Sequence, residues 1–399
     1  MGTYPSFAFT PNDDAIIIWA SGKLWRVPLS VDLSGEKVLG GEPHIIPFRA
    51  HVEKRLAATR TSTTNLLALE TADKQRLHAF IDLSVAEDGS RVAFQGAGVT
   101  YYFDFDPSES RDKFESLRVP VLSESEPYYS PSFVPGNKDL IVHARWSDRN
   151  FSTLEIADIS SGSAYELSGL PLGRYIHPVI CGCPGQSRKI AFIKSSGDYL
   201  SGSITASAEP GLYIGDITLP DSLYGSGSSI PIKNVQHLRT EIFVSDRTTL
   251  KFLNGNRQLL VQQSDRAFVI DVAGGPNALG DYNSTTIAEG RFTSEVVVPV
   301  KRDKVAFVDS FNVFVTDLGN VGDAPLWSKP GNATKGIARV SLDGGHDVQW
   351  DAAGKRLFWF LGANASSAQL SCSNPDFDSL RSILTFCGGF ASDGVLLEN

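Results

Sequence analysis

The residues best equipped for chemistry in this chain are histidine, arginine and tyrosine, placed where short apolar segments begin or end. His143, His177 and His346, with Arg145 and Tyr129, form a set suited to removing a weakly acidic carbon-bound proton. The C5 proton of a uronic acid is such a proton. Its loss requires the adjacent carboxylate to be neutralised by a cation, so that developing negative charge is held. A histidine or tyrosine then takes the proton, and a second gives one to the departing glycosidic oxygen. On this reading Arg145 and one histidine neutralise the carboxylate. His177 or His346 is the base, and Tyr129 is the acid or a second base. His78, Asp82, Tyr128, Trp146, His237, Arg247, Glu295 and Asp347 stand at comparable positions and are expected to bind substrate. Tyr128 and Trp146 offer faces on which sugar rings stack. Taken singly, each histidine is equally well explained by a structural hydrogen bond.

Other chemistries find less support. The chain has no Gly-x-Ser-x-Gly elbow and no reactive-cysteine signature. It lacks His-Glu-x-x-His and the glycine patterns of nucleotide sites, and "GSGSS" at 225–229 reads as a loop. No cofactor and no metal are expected. Asp82, Glu295 and Asp347 support two alternatives: a glycosidase-like carboxylate pair, or a calcium ion in a hydrolase or lactonase. The main rival to the elimination reading is a non-catalytic module binding a protein segment or a glycan.

These residues need a scaffold, and the sequence repeats one. "VAEDGSRVAF" at 85–94 reads as a strand, a tight turn and a strand. Variants recur as "FTPNDDAIIIW" at 9–19, "FVPGNKDLIVHA" at 133–144 and "WDAAGKRLFWF" at 350–360. First strands end at Phe9, Val85, Phe133, Ile180, Phe252, Val298 and Trp350. Turns rich in Asp, Asn and Gly tolerate the positive φ of a hairpin. Seven copies fall at intervals of roughly 45–70 residues. A lone sheet of this size cannot bury both faces, whereas sheets packed around an axis cover one another. The expected fold is therefore all-β: one seven-bladed β-propeller of four-stranded antiparallel sheets spanning 1–399, with six or eight blades as alternatives. The first strand of each blade lines the channel, so residues leading into it ring one mouth.

"AEDGSRVAF" and "WDAAGKRLFWF" resemble degenerate copies of the Ser-Pro-Asp-Gly-Lys repeat of TolB-like, WD40-like propellers. "IIPFRAHVEKRLA" at 45–57 and "SAEPGLYIGDI" at 207–217 resemble segments of propellers fused to amidohydrolases, although that domain's His-x-His motif is absent. The overall form is also similar to that of secreted seven-bladed polysaccharide lyases, including those acting on rhamnose–glucuronate linkages. That resemblance, of architecture and residue type, implies an acidic polysaccharide or oligosaccharide substrate.

Composition narrows the partners. Net charge is −9 and no basic stripe is present, which argues against nucleic acid. The longest apolar run, "AIIIWA" at 15–20, is far too short to span a bilayer, and a monomer without membrane contact is expected. Sequons at Asn150, Asn283, Asn332 and Asn364 point to a secreted, extracellular protein. Of four cysteines, Cys372 and Cys387 are expected to form a disulfide, while Cys181 and Cys183 read as buried small apolar residues.

Overall fold

A computed structural model of the chain describes residues 6–54, 65, 67–68, 71, 74–106, 116–198, 200–206, 208–220, 229–242, 244–245, 247–321, 325–327, 336–362, 364–370 and 396–398. Two compact units are present, residues 1–68 and 69–399. The first holds one sheet: β1 (Ser6–Phe9), β2 (Ala15–Ala20), β3 (Lys23–Val31) and β4 (Lys37–Leu39) in that order, with β5 (His44–Ile46) also on β3. Its apolar side chains stay largely exposed, Phe7 and Trp19 among them.

In the second unit, β6 (Lys74–Arg76) pairs antiparallel with β31 (Leu396–Glu398). Six further sheets follow in chain order. They are β7 (Ile81–Val85), β8 (Arg91–Gly96), β9 (Val99–Asp104) and β10 (Leu117–Arg118); then β11 (Tyr128–Val134), β12 (Asn137–Ser147), β13 (Phe151–Asp158) and β14 (Ser163–Ser168), joined by the parallel β18 (Ile230–Pro231). The third is β15 (Arg174–Ile180), β16 (Ser187–Ser196), β17 (Gly211–Thr218) and β19 (Lys233–His237). The fourth is β20 (Thr249–Leu253), β21 (Gln258–Gln262), β22 (Arg266–Asp271) and β23 (Ser284–Glu289). The fifth is β24 (Thr293–Val297), β25 (Lys304–Asp309), β26 (Asn312–Asp317) and β27 (Ala338–Arg339); the sixth is β28 (His346–Trp350), β29 (Arg356–Leu361) and β30 (Asn364–Gln369).

The chain is an all-β propeller, and its seven large antiparallel sheets match the seven hairpin repeats. Six of these sheets close a circuit within residues 69–399. First strands meet first strands at five of the six junctions, β24 meeting blade 4 through β21 and β22, and β28 returns to β7. Hydrogen bonds from the Asp82 amide to Asp347 and from the Phe80 amide to the Gly362 carbonyl seal the last sheet to the first. We number these six sheets as blades 1 to 6.

The core lies between blades. Val142 and Leu154 of blade 2 pack with Ile190 and Phe192 of blade 3, and Phe94 of blade 1 packs with Phe360 of blade 6. Each blade is too thin to bury its own apolar faces, so adjacent faces supply the burial. Cys181 and Cys183 are bonded to each other, which corrects the expectation of two free apolar residues. Cys372, Cys387 and Asn332 lie outside the described residues.

Candidate functional site

The first strands of the six blades surround a cavity of about 570 Å³. Five of them carry a register shift at the same place, between Ile81 and Ser84, Tyr129 and Ser132, Ile176 and Val179, Thr293 and Glu295, and His346 and Gln349. A bulge re-aims the side chain it carries and twists the strand. At four of these bulges a non-glycine residue adopts left-handed backbone: Asp82 (φ 57°), Ser130 (53°), His177 (50°) and Asp347 (53°). Pro131 and Pro178 follow directly, as suits a position whose N–H is not needed by the ladder.

Asp82, His177, Arg247, Glu295, His346 and Asp347 all line this cavity, together with hydroxyl and amide side chains such as Ser132, Thr249, Gln262 and Gln349. Three carboxylates also tie neighbouring blades together. Glu295 accepts hydrogen bonds from the backbone N–H groups of Asp347 (2.7 Å) and Val348 (2.8 Å). Asp347 accepts from the Asp82 amide (3.0 Å), and Asp82 accepts from the Ser130 amide (2.8 Å) and hydroxyl (3.3 Å). Gln262 plays the same part for Val298 (2.7 Å). In each case a side chain of one blade satisfies an N–H of the next blade that its own ladder leaves unpaired.

The site's electrostatics follow from this enclosure. Burial, reinforced by the nearby Asp347 carboxylate, pushes the Glu295 carboxyl up to about 7. His346 Nδ1 lies 2.7 Å from Asp347 Oδ2, and that hydrogen bond raises the proton affinity of the ring. Arg247 is exposed, and no carboxylate or hydrogen-bond acceptor engages its guanidinium among the described residues. No group of three or more His, Cys, Asp or Glu side chains there is arranged to hold a metal. Both Glu295 oxygens and Asp347 Oδ1 accept backbone N–H groups, and Asp347 Oδ2 faces the His346 ring.

Seven of the residues expected at the mouth do not line the cavity. His143 lies in the middle of the eleven-residue β12, one strand away from the channel. It is fully buried, its Nδ1 3.0 Å from the Thr100 hydroxyl and its ring tilted against that of Tyr128 at 4.8 Å. Burial depresses its proton affinity to about 3, so it is neutral. Arg145 contacts Glu126 (2.8 Å), the fully buried Glu155 (2.8 Å) and Glu166 (3.9 Å), and is therefore committed to its own blade. Tyr128 donates to Glu155 (3.1 Å), while the Tyr129 hydroxyl bonds Ser152 and the Tyr175 carbonyl (3.3 Å). Trp146 donates to Asp148 (2.9 Å) at the end of β12. His237 sits on the outer strand β19, stacked on Tyr213 at 4.7 Å, and His78 is exposed ahead of β7. These are corrections with one cause. Alternation along a strand is visible in sequence, but which blade face covers a given side chain is not.

Asp82 was legible from its place before the strand's apolar end. Gln262, Gln263 and Ser264, at the end of β21, carried no comparable signal, because that strand reaches the channel only through the packing of blade 4.

Comparison with known proteins adds little beyond the fold. No family model and no curated protein matches the chain. Solved structures similar to it include the β-propeller domain of Myceliophteria thermophila Cps50 (Swd1), at 12% identity over 90% of this chain and 94% of that one, TM-score 0.40. A gluconolactonase from Xanthomonas campestris is similar at 16% identity over 75% and 91%, TM-score 0.40. A putative TolB from Agrobacterium tumefaciens is similar at 13% identity over 74% and 91%, TM-score 0.40. The propeller assignment rests on the sheet order and ring closure described above.

Proposed function

We propose that the channel mouth binds a carboxylate-bearing saccharide of the uronic-acid type. The observation that carries this reading is Arg247, among the described residues the one Lys or Arg lining a cavity otherwise rich in hydroxyl and amide groups. A guanidinium that no partner engages among the described residues can grip a carboxylate in bidentate fashion. Serine, threonine and glutamine side chains suit a ligand covered in hydroxyls. The cavity volume falls within the ordinary range for small-ligand sites. Arg247 thus takes the part first expected of Arg145. Exposed sequon residues Asn150 and Asn283 support secretion within the same proposal.

A second reading makes the site catalytic, and the His346–Asp347 pair favours it. In that reading Arg247 holds the uronate carboxylate and His177 removes the C5 proton. The C–H electron pair becomes the C4–C5 double bond, the C4–O bond breaks, and protonated His346 supplies the proton to the leaving oxygen. One experiment addresses both readings. Glucuronate and glucuronate-containing oligosaccharides are titrated by calorimetry, and ultraviolet absorbance of an unsaturated product is followed in parallel. Binding lost in Arg247→Ala supports the first reading, and product formation adds the second. An absence of binding across the panel overturns both.

A further inference from the structure

We propose that Cys181–Gly182–Cys183 is a thiol–disulfide exchange site, at which a low-molecular-weight thiol opens and recloses the bridge while the propeller stays folded. This is independent of the saccharide reading. The bridge joins cysteines two positions apart, directly after β15 and before β16 of blade 3. As a staple it has little to hold. A bridge stabilises mainly by closing a loop in the unfolded chain, and this one closes around a single residue. Its ends are also held without it. Ile180 pairs with Ile190, and the Cys181 amide donates to the Lys189 carbonyl at 2.9 Å. A covalent link that adds so little to the fold is free to serve chemistry.

The surroundings give the two sulfurs different parts. Cys181 is fully buried, whereas Cys183 keeps 8% of its surface, in a turn where Gly182, Pro184, Gly185 and Gln186 are exposed. So small an opening admits a small thiol but not a cysteine carried by a folded protein. A thiolate therefore attacks Cys183 Sγ. The S–S bond breaks, and its electron pair leaves on Cys181 Sγ. That sulfur already accepts the Lys189 amide at 3.1 Å. The Arg188 guanidinium lies beside the same residue, its Nη1 donating to the Cys181 carbonyl at 3.1 Å. Its Nε is buried and has no hydrogen-bond partner among the described residues. A backbone N–H and an adjacent guanidinium stabilise a thiolate, which makes Cys181 the better leaving group. A second thiolate then attacks the external sulfur of the mixed disulfide. The external disulfide forms, Cys183 is released as a thiolate, and both cysteines take up the protons that the two thiols gave. Two thiols are oxidised and one bridge is reduced, and the reverse sequence restores it. Gly182 suits the turn because a Cβ there would meet the Pro135 side chain of blade 2 at 2.8 Å.

The test equilibrates the full chain with reduced and oxidised glutathione at a series of ratios, well below its melting temperature. Exchange is stopped with acid, and free thiols are alkylated with N-ethylmaleimide in acidic denaturant. Trypsin cuts after Arg174 and Arg188, so the peptide 175–188 carries Cys181 and Cys183 apart from Cys372 and Cys387. Mass spectrometry is expected to show this peptide passing from bridged to doubly alkylated as the ratio rises, and returning as it falls. The reduced chain is expected to melt within about 5 °C of the oxidised one. In Cys181→Ala, glutathione is expected to remain attached to Cys183, whereas in Cys183→Ala the covered Cys181 carries none. A bridge that opens only when urea unfolds the chain is a buried staple, and the proposal is then wrong. It is equally wrong if peptide 175–188 holds two free thiols in oxidised glutathione alone, if reduction lowers the melting temperature by more than about 5 °C, or if glutathione attaches to Cys181 instead of Cys183.

Discussion

Replacing Glu295 by Gln tests whether the mouth is organised by carboxylates that clasp adjacent blades. Glu295 accepts two backbone N–H groups of blade 6 at 2.7 and 2.8 Å. Hydrogen bonds to a charged acceptor contribute about 1.5–3 kcal/mol each. Glutamine keeps the shape but turns an amide N–H toward one donor, so a loss of about 1–3 kcal/mol is expected at neutral pH. The pH dependence is more diagnostic. The carboxyl moves from its usual 4.5 to about 7 in the folded chain. A carboxyl that binds its proton more tightly when folded stabilises the fold fully below pH 4.5, and that contribution is lost as pH rises through 7. The rise corresponds to about 3 kcal/mol, trimmed to about 2–3 by the solvent in the channel. Urea unfolding of the parent and of Glu295→Gln, from about pH 5 to about pH 8, measures the difference. The parent's advantage over Glu295→Gln should shrink by about 2–3 kcal/mol across that range. Parallel curves for the two proteins would refute the assignment of this proton to Glu295.

Arg247→Ala is expected to weaken uronate binding by about 1.5–3 kcal/mol without changing the melting temperature, as calorimetry and thermal unfolding will show. Arg145→Ala should do the opposite, destabilising by about 3–5 kcal/mol because Glu155 is left buried and unpaired, a loss read from urea unfolding. His143 is neutral in the fold, with its value lowered from 6.5 to about 3, so its contribution is present above pH 6.5 and lost as pH falls toward 3. Stability curves of the parent and His143→Gln should therefore diverge on the acid side, and coincident curves would count against a buried neutral ring. His346 has the reverse sign: its raised value means that the stability it gives is present below 6.5 and lost as pH rises above it. Proton titration of the His346 ring by NMR should show a midpoint above 6.5 that drops in Asp347→Asn.

The propeller itself was legible because a hairpin is a local object. Its turn residues and the alternation of its second strand lie within about a dozen residues, so each copy announces itself without reference to the others. Asp82, His177, Glu295 and Asp347 were found by the same route, since each precedes the apolar end of a first strand by a fixed small number of residues. His143 and Arg145 were misplaced because β12 runs on to Ser147, so that His143 meets Thr100 and Arg145 meets the carboxylates of its own blade, while the Tyr129 hydroxyl on β11 is taken up by Ser152 and the Tyr175 carbonyl. A mid-strand histidine beside Thr100 and one at a channel bulge carry the same letter and the same apolar neighbours.

Sequence by itself determined the unit: strand, turn and strand, written often enough that only stacking around an axis buries what each copy leaves open. Tertiary structure decided the assembly. It set which six sheets close the circuit, which side chains bulge into the channel, and which cation finds no partner among the described residues, as Arg247 does. The physical reason is range. Turn propensity and alternation act between neighbours in the chain, whereas burial, charge pairing and convergence on an axis depend on groups hundreds of residues apart.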